Sequence, residues 1–121
     1  MPAVSDLYFK AAIVFLVIGI AMGLMMSISG NHNVIGAHAH VNLLGWATSA
    51  LFGTYLALAP VKAAKRLAMI QFGVHVVGVV IMTGGLYFLL LGNTGLVPVV
   101  AIGSLIVAAG VLLFGYLVFS R

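Results

Sequence analysis

The chain has 121 residues, of which 64% are hydrophobic and only 5% are charged. A soluble domain carries roughly 25% charged residues, so this composition excludes an ordinary water-soluble fold. The absence of cysteine excludes disulfides, thiolate metal ligands and haem attached covalently through a cysteine pair. The five basic residues are spread along the chain, so they form no patch large enough to bind nucleic acid. We therefore expect a single domain, residues 1–121, whose main partner is the lipid bilayer.

Four segments are long and apolar enough to cross a membrane, since about 20 apolar residues span a hydrocarbon core of about 30 Å. They lie at about residues 7–26, 37–59, 63–91 and 97–119. Pro60 is expected to stop the second segment, because proline cannot continue a helix. Pro98 lies in the first turn of the fourth segment, where its missing N–H costs little. The sequence thus predicts an all-α integral membrane four-helix bundle.

The basic residues predict how this bundle lies in the membrane. All of them fall on one side of an even-numbered bundle: they are Lys10, Lys62, Lys65, Arg66 and Arg121. Because Lys and Arg are enriched in cytoplasmic connections, we expect both the amino and the carboxyl terminus on the cytoplasmic side. The same orientation places His32, His38 and His40 towards the outside.

The histidines are the first candidates for function, because ionisable residues at membrane depth are expensive to bury. His38 and His40 begin the second helix. Two residues along an α-helix correspond to a rotation of about 200°, so these side chains point to opposite sides and cannot bind one ion from a regular helix. Either they serve two different sites, or only one is a ligand, or both are hydrogen-bonded to water and to the helix start.

His75 lies deeper, inside the third helix, and is expected near the level of Thr48. One interpretation is a neutral histidine bonded to Thr48, Ser49 or a carbonyl of a neighbouring helix. The other is a second metal ligand or a channel-lining group. His32, in the first connection, is expected to be a solvated loop residue, with metal binding as the weaker alternative.

Three methionines and two glycines lie on the first helix near its outer end. Met22, Met25 and Met26 carry thioethers, which suit Cu(I) and can be axial haem ligands, although methionine is also an ordinary packing residue. Gly19 and Gly23 form a Gly-x-x-x-Gly pair. Such a pair lets two helices approach closely, or lets a flat macrocycle lie against the backbone.

The run AHAHVNLLGW, residues 37–46, resembles the haem-copper oxidase superfamily. More specifically, it is similar to small stand-alone bacterial relatives of the catalytic subunit of cytochrome oxidases and nitric-oxide reductases. In the large members one helix carries His-x-His, with one histidine on each of two haems, and His38 and His40 have that spacing. Those members have twelve helices in three arcs of four, so one four-helix chain is similar to one arc.

The resemblance implies a multi-pass protein of the bacterial inner membrane that forms a homotrimer. Three copies would reproduce the twelve-helix outline, and haem b would lie at the subunit interfaces between His38 of one copy and His40 of the next. The implied function is electron transfer or haem and gas chemistry, with an electron-transfer partner.

Oxygen or nitric-oxide reduction needs a second metal beside the haem, held by three histidines or by histidine and glutamate. This chain offers only His75 on its third helix for that task. Whether the protein is an enzyme therefore stays open, and no catalytic residue is assigned. Two other functions remain as alternatives: a cofactor-free or copper-binding transport or accessory protein, and a structural subunit of a larger respiratory complex.

Overall fold

The structure is a computed structural model that describes residues 1–121 and contains no strand. Four of its helices are long and apolar enough to cross a membrane. They are α1 (Ala3–Ser29), α2 (Ile35–Leu58), α3 (Arg66–Leu90) and α4 (Val97–Phe119). The prediction of an all-α chain with four helices long and apolar enough to cross a membrane is thereby confirmed.

The helix ends follow from local backbone chemistry. α1 ends at Gly30, whose φ of 71° is the left-handed conformation that glycine adopts without strain. α2 stops just before Pro60, and the chain then forms a short helical turn, Pro60–Ala63. Lys65 is extended, with ψ of 143°. α3 therefore begins at Arg66 rather than at Ala63.

The middle of α2 is a π-helix over Val41–Ala47. The backbone N–H of Thr48 bonds to the carbonyl of Leu43, five residues earlier, instead of four as in an α-helix. This π segment separates the α-helical start of α2, which carries both His38 and His40, from its α-helical end. π turns are rare in proteins, and those that do occur are often found at functional sites.

The helices pack as two neighbouring pairs, α1 on α2 and α3 on α4. The second pair approaches through glycines on both helices. Gly78 of α3 lies against Val107, and Gly103 of α4 lies against the backbone of Met82. Small residues let helix backbones come close in a membrane, where van der Waals packing rather than hydrophobicity drives association.

Two apolar clusters join these pairs. One contains Val4, Tyr8, Phe52, Leu56, Ala63, Ala68 and Leu117. The other contains Phe15, Met22, Ala37, Val41, Val79, Met82 and Val107. Outside these clusters large apolar side chains are exposed on every helix, and only 28 of the 121 residues are buried. Such a surface is compatible with direct contact with the lipid bilayer.

The connection between α2 and α3 lies at the same end of the bundle as both chain termini. Lys62 Nζ donates to the carbonyl of Val118 at 2.7 Å, and Lys65 Nζ lies 3.4 Å from Ser120 Oγ, both near the end of α4. The first residues of α1 line one cavity together with Pro60. We call this the basic end, and the opposite end, where α2 begins, the histidine end.

Candidate functional site

His40 presents one ring nitrogen to the outside of the chain. Its side chain is exposed, and Nδ1–H donates to the carbonyl of Gly36 at 2.7 Å. Because a carbonyl can only accept, the proton of the neutral ring is on Nδ1, and Nε2 carries the free lone pair. Metal-bound histidines commonly have this arrangement, with one nitrogen bonded to a carbonyl and the other on the metal. His40 therefore offers one imidazole nitrogen with a free lone pair at an exposed position.

His38 faces its own chain instead. Its ring lies against α1, where a Cβ added to Gly23 would be 3.3 Å from His38 Cε1. Asn42 Nδ2 lies 3.3 Å from His38 Nε2 and donates to it, whereas His38 Nδ1 is buried without a hydrogen-bond partner. His38 and His40 thus have different surroundings, as their spacing predicts. His38 could bind a group outside the chain only after its ring has left Gly23 and Asn42.

The Gly-x-x-x-Gly pair makes room for this polar pair. The Asn42 amide lies so close to Gly19 that an added Cβ would overlap Asn42 Oδ1. That oxygen, like His38 Nδ1, is buried without a partner. An unpaired buried polar atom costs about 1–3 kcal/mol. The start of α2 therefore retains hydrogen-bonding capacity that its own chain does not use.

His75 is fully buried and hydrogen-bonded within the chain. Its Nε2–H donates to the Leu44 carbonyl at 3.1 Å, inside the π segment, and lies 3.2 Å from Ser49 Oγ. Its ring packs against Phe52 at 5.0 Å and Tyr8 at 6.0 Å between centroids. The structure thus agrees with the hydrogen-bonded interpretation. No part of His75 is exposed on the chain, and its Nδ1 is buried without a hydrogen-bond partner.

A second buried polar contact was missed by sequence reasoning. Tyr8 OH donates to Gln71 Oε1, and Gln71 Nε2 donates to the carbonyl of Gly110 at 3.1 Å. These bonds join α1, α3 and α4, and both side chains are fully buried. The available signal was that Gln71 is the only glutamine of the chain and lies in an apolar helix. A buried amide must find hydrogen-bond partners.

His32 lies in the connection after α1, exposed, with its Nδ1–H donating to the Gly30 carbonyl at 3.2 Å. Nowhere does the fold bring three or more His, Cys, Asp or Glu side chains together as a metal site.

The three methionines of α1, Met22, Met25 and Met26, line one cavity of about 180 Å³ at the histidine end. Met22 and Met26 are buried in its wall, and Met25 is exposed.

Comparison of the chain with protein-family models, curated proteins and solved structures gives no match. The resemblance to haem-copper oxidases therefore rests on the motif at residues 37–46.

Proposed function

We propose that this protein binds haem b in the membrane and that His40 supplies a ligand to the iron. One observation carries the proposal: Nδ1–H of His40 is held by the Gly36 carbonyl, which leaves Nε2 free at an exposed position. Haem iron changes between two oxidation states and binds small gases, so the function is electron transfer or haem and gas chemistry. The chain contributes the ligand and an apolar surrounding.

We propose that a second ligand comes from outside the chain, because His40 is exposed and its Nε2 has no partner within the chain. In the proposed homotrimer this ligand is His38 of the neighbouring copy. When the His38 ring leaves Gly23, its Nδ1 is no longer buried without a hydrogen-bond partner. Neighbouring copies would also cover part of the exposed apolar surface. We also propose the bacterial inner membrane as the location, with the basic end in the cytoplasm.

The test is the absorbance spectrum of protein purified in detergent from membranes supplied with haem. The parent chain is expected to show the sharp reduced bands of six-coordinate haem b, with a mass corresponding to three chains. His40→Ala should lose the haem, and His38→Ala should leave five-coordinate iron. His32→Ala is the matched control, because it removes an exposed histidine from the same end, and it should retain the parent spectrum.

Two results would contradict this proposal. One is a haem spectrum that persists unchanged in His40→Ala. The other is a folded parent protein that remains free of haem when haem is supplied. Oligomer mass is a separate measurement, so a monomer that still binds haem would refute the ring and leave His40 as a ligand.

A copper-binding transport or accessory protein is the second candidate, and the methionine cavity favours it. Met22, Met25 and Met26 line one small space, and thioethers are ligands that select Cu(I). Titration of reduced copper against a chromophoric chelator would give one tightly held ion per chain. Met25→Leu should weaken binding, whereas Met69→Leu, an exposed methionine of α3, should not. Equal binding by the two variants would exclude this site.

A further inference from the structure

A cavity of about 480 Å³ lies at the basic end, between the start of α1, the turn after Pro60 and the start of α3. Its wall is largely apolar and includes Val4, Ala63 and Met69. Lys65 and Arg66 also line it. The cavity thus combines an apolar wall with cationic side chains, at the level where membrane-spanning helices meet the interface.

No acidic side chain lines this cavity. Arg66 is exposed and has no hydrogen bond or ion pair through its guanidinium. Lys65 has two contacts of 3.4 Å, to Ser120 Oγ and the backbone oxygen of Arg121. Asp6 is the only acidic side chain of the sequence, and it pairs with Lys10 at 2.8 Å. Arg66 is therefore free to bind an anion from outside the chain.

We infer that this cavity binds an anionic phospholipid. The phosphate lies on Arg66, with Lys65 beside it, and the first part of an acyl chain follows the apolar wall formed by Val4 and Met69. A guanidinium forms strong, bidentate hydrogen bonds with phosphate, and basic pockets between spanning helices hold anionic headgroups. A zwitterionic lipid carries an ammonium group that the same cations repel, so it binds less well.

The experiment is native mass spectrometry of the full chain, released from micelles that contain phosphatidylglycerol and phosphatidylcholine with identical acyl chains. The parent should retain phosphatidylglycerol in preference to phosphatidylcholine. Arg66→Gln should lower this preference roughly five-fold, the effect of one basic residue near an anionic surface. Arg66→Lys keeps the charge and should retain most of the preference.

Arg121→Gln is the matched control, because it removes the same charge at the same end and Arg121 does not line the cavity. It should bind lipid like the parent. Equal losses in Arg66→Gln and Arg121→Gln would overturn the inference in favour of diffuse surface charge. Equal retention of the two lipids by the parent would also overturn it. Neither result depends on haem, so this inference and the proposed function can fail separately.

Discussion

Replacing Gly103 by alanine would force apart α3 and α4, because at this residue the backbone of α4 lies against that of α3. A Cβ at this position would lie 2.7 Å from Met82 Cα and 2.9 Å from its Cβ. Carbon atoms in contact are normally about 3.5–4.0 Å apart, so α3 and α4 would have to separate by about 1 Å at this level. Overpacking of this kind typically costs about 1–3 kcal/mol.

Gly115→Ala is the control for this substitution, because the space around Gly115 is open and it also lies within α4. Alanine is favoured over glycine in a helix interior by about 1 kcal/mol, and this gain is common to both variants. The difference between them therefore isolates the steric cost. We expect Gly103→Ala to be less stable than Gly115→Ala by about 2 kcal/mol.

Reversible unfolding in mixed micelles, followed by circular dichroism as the denaturing detergent increases, would measure this difference. Equal stability of the two variants would refute the reasoning, since it would mean that α3 and α4 do not touch at Gly103.

Three further substitutions are tested in the same unfolding assay. Tyr8→Phe leaves Gln71 Oε1 without its donor and should cost about 1 kcal/mol; unchanged stability would show that the oxygen finds another donor. Gln71→Leu also leaves the Gly110 carbonyl without its donor, so it should lower the stability more than Tyr8→Phe does. A larger loss of stability in Tyr8→Phe would contradict these contacts. Lys62→Met removes the ammonium group of the Pro60–Ala63 turn that donates to the Val118 carbonyl in the last turn of α4, and it should cost about 0.3–1 kcal/mol. Amide hydrogen exchange near Val118 should be faster in Lys62→Met than in the parent. Equal exchange rates in the two proteins would argue against the hydrogen bond from Lys62 to the Val118 carbonyl.

The four spanning helices could be predicted because the signal is one-dimensional, the length of an apolar run. The contacts between them could not, because these helices are apolar on all sides and no stripe marks the inner face. Tyr8 meets Gln71 only when α1 and α3 are rotated towards each other. That rotation is set by packing across the bundle.

For the histidines, too, some features could be predicted from the sequence and others depend on packing between helices. Their spacing predicted that His38 and His40 point apart, since this follows from the helix period alone. Which of them faces the chain depends on the position of Gly23 on another helix. His75 was expected to bond to Thr48, Ser49 or a neighbouring carbonyl, and it contacts Ser49 and the Leu44 carbonyl. Its bond to the Leu44 carbonyl depends on the π segment, for which the sequence carries no recognised pattern.

That π segment also affects how this chain can change during evolution. Each residue added to or removed from a regular α-helix turns everything beyond it by about 100°. A π turn holds one residue more than an α turn, so a single deletion within residues 41–47 would let α2 continue as an ordinary α-helix. The total rotation across the segment would hardly change, so both histidines would keep their direction relative to Ser49 and Phe52, whereas a deletion in the α-helical part between the π segment and Ser49 would turn them by about 100°. The π segment is therefore a place where α2 can lose one residue without redirecting the exposed histidine or repacking the basic end.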